Sequence, residues 1–177
     1  VAIHIKAASG QSTTIFKVTN SSDTTLIGFG VNGSTVFNEN SLTDADFRIE
    51  GDSNANLMFL DASTDRIGIK TATPNSTLQI AGSMSLPIIA KTANYTATES
   101  DYTILTSASG GVVTITLPAA AAIPGRIYVI KKTDNSANKV TIDGNGAETI
   151  DGSTTYDLTV YNESIQIQTD GSNWYIL

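Results

Sequence analysis

The sequence predicts an all-β protein in two unlike parts: a run of short repeated strands, then a β-sandwich. Three observations carry this. Apolar and polar residues alternate with a period of two through much of the chain. The alternating runs are bounded by clusters of Gly, Asn, Asp and Ser. The first half also repeats itself after 31 residues. Ser and Thr make up about a quarter of the 177 residues, a composition suited to outward strand positions and turns.

Taken in order, Val1 to Lys6 alternates as a strand and contains the single histidine, His4. Sliding the chain by 31 residues lays Phe16-Lys17-Val18 on Phe47-Arg48-Ile49 without a gap. The same slide lays Leu26-Ile27 on Leu57-Met58, Phe29 on Leu60 and Val36 on Ile67. Each unit reads as strand, polar turn (Asn20 to Thr24, Asp52 to Asn56), strand, turn, strand. Sets of about three short strands with few large side chains are marginal alone in water. Solenoid-like units need about three stacked copies, or partners, to bury their apolar faces. Two copies are visible here, so the missing burial is expected from a longer parent chain or from other subunits. Gly82 to Pro87 reads as a linker. The expected boundaries are residues 1–82 for the repeat segment, 83–90 for the linker and 91–177 for the sandwich.

In the second half, Val113, Ile115 and Leu117 alternate with Thr114 and Thr116, and Val140 and Ile142 flank Thr141. Tyr156, Leu158 and Val160 alternate with Asp157 and Thr159, as Ile165 and Ile167 do with glutamines. Turns are expected at Ser109-Gly110-Gly111, Asp151-Gly152-Ser153 and Asp170-Gly171-Ser172, with a tight hairpin at Asp143-Gly144-Asn145-Gly146. Arg126 to Lys132 is apolar on both faces at its centre and predicts a central strand. Pro118 and Pro124 bracket Ala119 to Ile123 too tightly for more than one helical turn. That gives about seven or eight strands from Tyr95 onward, enough for a sandwich. The uncharged stretch from Tyr102 to Gly125 contains two prolines and alternates in its front half, so it does not read as a membrane helix.

Composition excludes several functions. With no cysteine there is no disulfide framework, thiolate metal site or Cys nucleophile. One histidine argues against a polyhistidine metal site and a His-based triad. A net charge of −7 argues against binding a phosphate backbone. No targeting signal precedes the strands, and a start at Val1 is expected of a processed or trimmed chain.

Each candidate chemistry has an ordinary structural alternative. Polysaccharide cleavage needs two carboxylates about the sugar, for which Asp143, Glu148, Asp151 and Asp157 are available. Asp143 and Asp151 stand in Gly-containing turns, where solvated aspartates are the rule. Asp143 to Gly146 has a fragment of a calcium loop without the remaining ligand spacing, so no metal and no cofactor is expected. Trp174, Tyr175, Tyr128, Tyr156 and Tyr161 offer flat faces for a sugar. Trp174 in an apolar terminal strand is better read as core, and the odd offset puts Tyr156 and Tyr161 on opposite faces of one strand. Lys131-Lys132 reads as a strand end entering solvent. Five N-x-[ST] triplets, at Asn20, Asn32, Asn75, Asn94 and Asn162, are near chance in such a chain. A Lys–Asn crosslink needs a buried lysine, and Lys17 and Lys70 are the candidates.

The stretch Asp46 to Gly82 resembles a module of bacteriophage tail fibres and related virion appendages. The resemblance is carried by Asp61-Ala62, Arg66-Ile67-Gly68-Ile69, Thr73-Pro74 and Leu78-Gln79-Ile80. Lys70 stands where that family usually has a second glycine, which suggests a looser chain approach there. Tyr95 to Leu177 resembles a β-rich C-terminal domain of phage fibre proteins. Its carriers are Asp101 to Leu105, Thr116 to Ala120, Pro124-Gly125-Arg126 with Tyr128 to Lys132, and Gly171 to Tyr175. The resemblance implies an intertwined homotrimeric β-shaft with a β-sandwich tip. It also implies a non-catalytic structural and host-attachment role in a virion appendage, beside the other fibre or tail proteins. The tip would present its turns to a cell-surface glycan or outer-surface protein, without nucleic acid or membrane insertion. Asp143, Asn145, Tyr156 and Asn173 are the candidate receptor contacts. Such shafts often precede a self-cleaving helical chaperone, which the terminal strand Trp174 to Leu177 implies is removed or unused. A bacterial surface adhesin or carbohydrate-binding module, and a small polysaccharide depolymerase, are the alternatives.

Overall fold

The computed structural model describes residues 14–19, 25–30, 35–37, 41–44 and 46–177. The expected strand Val1 to Lys6 with His4, the turn Asn20 to Thr24, and the side chain of Lys17 lie outside the described residues. The described residues are almost wholly β, with one 3-10 turn and no α-helix. The chain divides into two compact units, Val1–Met84 and Ser85–Leu177.

In the first unit, β1 (Thr14–Thr19), β2 (Thr25–Gly30) and β3 (Thr35–Phe37) form an antiparallel meander. A second sheet contains β4 (Phe47–Ile49), β5 (Met58–Asp61), β6 (Arg66–Ile69) and β7 (Leu78–Ile80), in that order. The 31-residue repeat therefore corresponds to two meanders. Phe16↔Phe29, Lys17↔Gly28 and Val18↔Ile27 in the first become Phe47↔Leu60, Arg48↔Phe59 and Ile49↔Met58 in the second. The next hairpin breaks the rule by one residue: Phe29 faces Thr35, but Leu60 faces Ile67 rather than Arg66. The second meander has one more residue there, held by a side-chain-bonded turn. The Asp61 carboxylate accepts from the amides of Ser63 and Thr64 and from both hydroxyls, at 2.6–3.2 Å, and Asp65 turns left-handed at φ 55°.

β6 and β7 run parallel across a connection shorter than the dozen residues usual for such a crossover. Two residues explain the short return. Lys70 turns the chain with φ 62°, and Thr71 then lies over Gly68, where a Cβ would meet the Thr71 carbonyl oxygen at 2.2 Å. Arg66 Nη1 donates to the Pro74 carbonyl at 2.9 Å and braces the loop. Lys70 thus holds a left-handed backbone that glycine adopts without strain, whereas the close approach of the chain occurs at Gly68. Little is buried here. From Asp46 to Met84 only Gly68 and Pro74 are buried, while Ile49, Leu57, Leu78 and Met84 are exposed.

The second unit contains β8 (Ile88–Lys91), β9 (Tyr95–Thr96), β10 (Thr103–Thr106), β11 (Val113–Thr116), β12 (Ile127–Lys132) and β13 (Val140–Asp143), then β14 (Thr155–Leu158), β15 (Ser164–Thr169) and β16 (Trp174–Ile176). Ile88 to Ala90, within the expected linker, is already strand. From β8 to β13 successive strands alternate between two sheets. The five-stranded sheet has the order β16-β15-β12-β10-β8 and the four-stranded sheet β14-β13-β11-β9. Within each sheet the first three strands run parallel, and only β14, β15 and β16 join antiparallel. The expected sandwich of hairpins is therefore wound as three coils closed by antiparallel strands.

The winding stacks like on like. Ile89, Ile104 and Ile130 form one inward row, and Tyr95, Ile115 and Ile142 another on the facing sheet. Ile104, Ile115, Ile130 and Ile142 are completely buried with Tyr128, Leu158, Ile167 and Trp174. Each such side chain contributes on the order of 1.5–3 kcal/mol. The 3-10 turn spans Ala120–Ala122, between the two prolines.

Three local readings are corrected. Lys132 does not enter solvent; its side chain is wholly buried and forms an ion pair at 2.8 Å with Asp134. Tyr161 and Val160 lie past the end of β14, in an exposed turn, so Tyr156 and Tyr161 do not share a strand. Asp143-Gly144-Asn145-Gly146 is not a tight hairpin, because β14 resumes only at Thr155.

Candidate functional site

Three of the four candidate contact residues border the loop 144–154 between β13 and β14. Asp143 ends β13 opposite Thr155. Asn145 is exposed and opens a turn in which its carbonyl accepts the Glu148 amide at 3.1 Å, with Gly146 at φ 63°. Gly144 is required by a close approach, since a Cβ there would lie 2.3 Å from the Glu148 carbonyl oxygen. Asn173 reaches the loop from the β15–β16 turn, its Oδ1 accepting the Thr149 amide and hydroxyl at 2.8 Å each. Tyr156 stands apart: opposite the buried Ile142, it packs against the core.

The loop's second bend falls within the expected turn Asp151-Gly152-Ser153 and is a two-residue turn at Asp151-Gly152. Ile150 and Ser153 exchange both backbone hydrogen bonds, at 2.6 and 3.0 Å, while Asp151 and Gly152 have φ of 47° and 89°. Positive φ at both central residues is the I′ geometry that Asp-Gly favours. From Asp151 to Thr155 every residue is exposed.

The loop is held from behind. The Trp174 amide donates to the Thr149 carbonyl at 2.8 Å, and the Asp151 amide donates to the Trp174 carbonyl at 3.0 Å. The Ile176 amide donates to Asp151 Oδ1 at 3.3 Å. These bonds occupy the outer edge of β16. The Glu148 carboxylate accepts the Ala120 amide at 2.9 and 3.1 Å and the Trp174 indole at 3.3 Å. Trp174 is thus core, tethered through its Nε1.

The candidate carboxylates do structural work in this arrangement. Glu148 caps the 3-10 turn, and Asp151 closes a strand edge. Asp157 accepts from Lys139 Nζ and Thr141 Oγ1 at 2.7 Å each on the outer face of the sheet. These two donors, Lys139 first, hold the Asp157 carboxyl below the usual carboxylate range. Beside the loop, the amides of Asn173 and Ser172 lower Asp170, and its bond from Tyr175 raises that phenol. Among the described residues no group of three or more His, Asp or Glu side chains converges as a metal site would require.

Residues that sequence reasoning passed over are Thr149, Ser153 and Thr154. Their signal was the turn cluster Asp151-Gly152-Ser153 itself, eclipsed by the stronger-looking Asp143 to Gly146. The chain matches no protein-family model, and no curated protein matches it.

Proposed function

We propose that the chain is a structural and host-attachment segment of a phage fibre, non-catalytic, acting as a homotrimer in a virion appendage. One observation supports this most. The described residues from Asp46 to Met84 are paired into a regular sheet yet bury no large side chain, and Leu78 and Met84 remain 56% and 64% exposed. Such a surface calls for burial from outside the unit, and a threefold partner copy supplies it in a fibre shaft. The resemblance of Asp46 to Gly82 to fibre modules points the same way. In the C-terminal unit the rigid loop 144–154 presents hydroxyl and amide groups to a cell-surface glycan or outer-surface protein. Three such loops on one fibre multiply weak contacts through effective concentration.

Sedimentation of the purified chain at micromolar concentration tests the reading. A mass three times the 18.6 kDa of one chain is expected. A monomer overturns it and favours a monomeric adhesin or carbohydrate-binding module.

A further inference from the structure

We propose that copies of this chain associate in the C-terminal unit through the outer face of the five-stranded sheet. The inference rests on the homotrimer reading and names the face it uses.

The two sheets have outward faces of opposite character. On the four-stranded sheet the outward strand positions include Thr114, Thr116, Thr141, Asp143, Thr155 and Asp157, alternating with the buried residues. On the five-stranded sheet they are Ile88, Ala90, Leu105, Ile127, Val129 and Tyr175, interspersed with Thr103, Lys131, Ser164, Gln166 and Gln168. Pairing places Ile88, Thr103, Val129 and Gln166 in one row across four strands, with Ala90, Leu105 and Lys131 in the next. Ile88 at the edge is 63% exposed. A recess of about 510 Å³ lined by Leu86, Tyr102, Ile123, Pro124, Arg126 and Ile127 shares Ile127 with this face.

Charge selects the occupant. Each chain carries −7, so two copies repel unless the faces that meet are free of carboxylates. No outward strand position of the five-stranded sheet is Asp or Glu, and its charged residue is Lys131, whose Nζ is bonded to the Asn162 carbonyl at 2.9 Å. The opposite face carries Asp143 and Asp157. A face with no carboxylate among its outward strand positions, on an acidic chain, suits a second copy of itself.

The chain has no cysteine, so thiols can be placed one at a time. Gln166→Cys and Thr155→Cys put a thiol at an exposed position on each face, to be titrated with a bulky hydrophilic maleimide in the assembled protein. At least tenfold slower labelling at 166 than at 155 is expected, with the rates converging when dilution dissociates the assembly. Equal rates in an intact oligomer overturn the face while leaving the oligomer standing. Protection that persists in the monomer means that the chain covers its own face, which also overturns the inference. A protein monomeric throughout overturns both readings. Tyr175→Cys serves as a second probe of the same face if Gln166→Cys does not fold.

Discussion

The Lys132 ammonium lies 2.8 Å from Asp134 Oδ1, with the lysine side chain wholly out of solvent and the aspartate 10% exposed. Lys132 also donates to the Asp134 carbonyl at 3.0 Å, and the Asp134 carboxylate accepts the Ala108 and Ser136 amides at 2.6 and 3.0 Å. One carboxylate thus joins the end of β12 to the loop after β10. Removing the carboxylate strands the buried ammonium, at about 3–5 kcal/mol, whereas an apolar chain in place of Lys132 leaves Asp134 with its Ala108 and Ser136 donors. Asp134→Ala is therefore expected to destabilise strongly and Lys132→Met mildly, by urea denaturation. Equal losses for the two variants would contradict the assignment.

The pH dependence follows from the same contacts. Lys132 and then Ser136 hold the Asp134 carboxyl well below the usual carboxylate range, and Asp61 and Asp157 are lowered by their own donors. A carboxylate whose folded pKa lies below its unfolded value stabilises the fold above the unfolded pKa, near about 3.9. That contribution is lost as pH falls towards the folded value. The denaturation midpoint should stay level from about pH 7 to 5 and fall below about pH 4. Asp157→Asn should flatten part of the fall, and a midpoint that rises on acidification contradicts the scheme.

Lys70 and Gly68 make opposite predictions two residues apart. A lysine at φ 62° carries a cost of about 1 kcal/mol that glycine does not. Lys70→Gly should raise stability by up to about that amount, offset in part by the greater unfolded-state entropy of glycine. Gly68→Ala should lower it, because the new Cβ meets the Thr71 carbonyl. Thermal unfolding of the whole chain reads both, and a neutral Gly68→Ala would mean that the loop yields freely.

Glu148→Ala leaves the Ala120 amide and the Trp174 indole without their acceptor, at about 1–3 kcal/mol. Glu148→Gln keeps an acceptor oxygen and should recover most of this. The indole emission should shift in the alanine variant and much less in the glutamine variant. An unshifted spectrum in Glu148→Ala would show that the indole bond is not formed.

Thr106 Oγ1 is buried with no hydrogen-bond partner, between Lys91 and Lys132 in the sheet register. Thr106→Val keeps the branched shape and removes the orphan hydroxyl, so it should be neutral or stabilising by about 1 kcal/mol. A loss above about 1.5 kcal/mol would instead reveal a partner such as an internal water.

Strand positions were legible because a buried face imposes period two whatever the pairing. Ile115 beside Thr116 announces a half-buried strand equally well in a parallel or an antiparallel sheet, so the winding of β8 to β13 was not legible. The slide of 31 residues found both meanders, since Phe16 and Phe47 keep the same partners. It could not show the one-residue slip at Leu60, which the Asp61 turn sets locally. Lys132 misled because charge at an inward position reads as a strand end, and its neutraliser Asp134 lies beyond the alternating run. At the candidate site two glycine-rich turns competed within a dozen residues. Only the geometry shows that Asp151-Gly152 makes the tight turn and that Asn173 is engaged from the other side.

The coiled path of β8 to β13 also bears on the order in which the chain acquires structure. Ile104 finds Ile130, and Ile115 finds Ile142, only after an intervening strand has crossed to the other sheet. Within this unit, pairings between neighbouring strands in sequence occur only at β13–β14 and β15–β16. Loop closure favours those local hairpins as the first to form, and non-local parallel pairing makes the remainder slow, on the order of milliseconds to seconds. A ribosome delivers the two hairpins last. Before then, no two strands adjacent in sequence in this unit have each other to pair with.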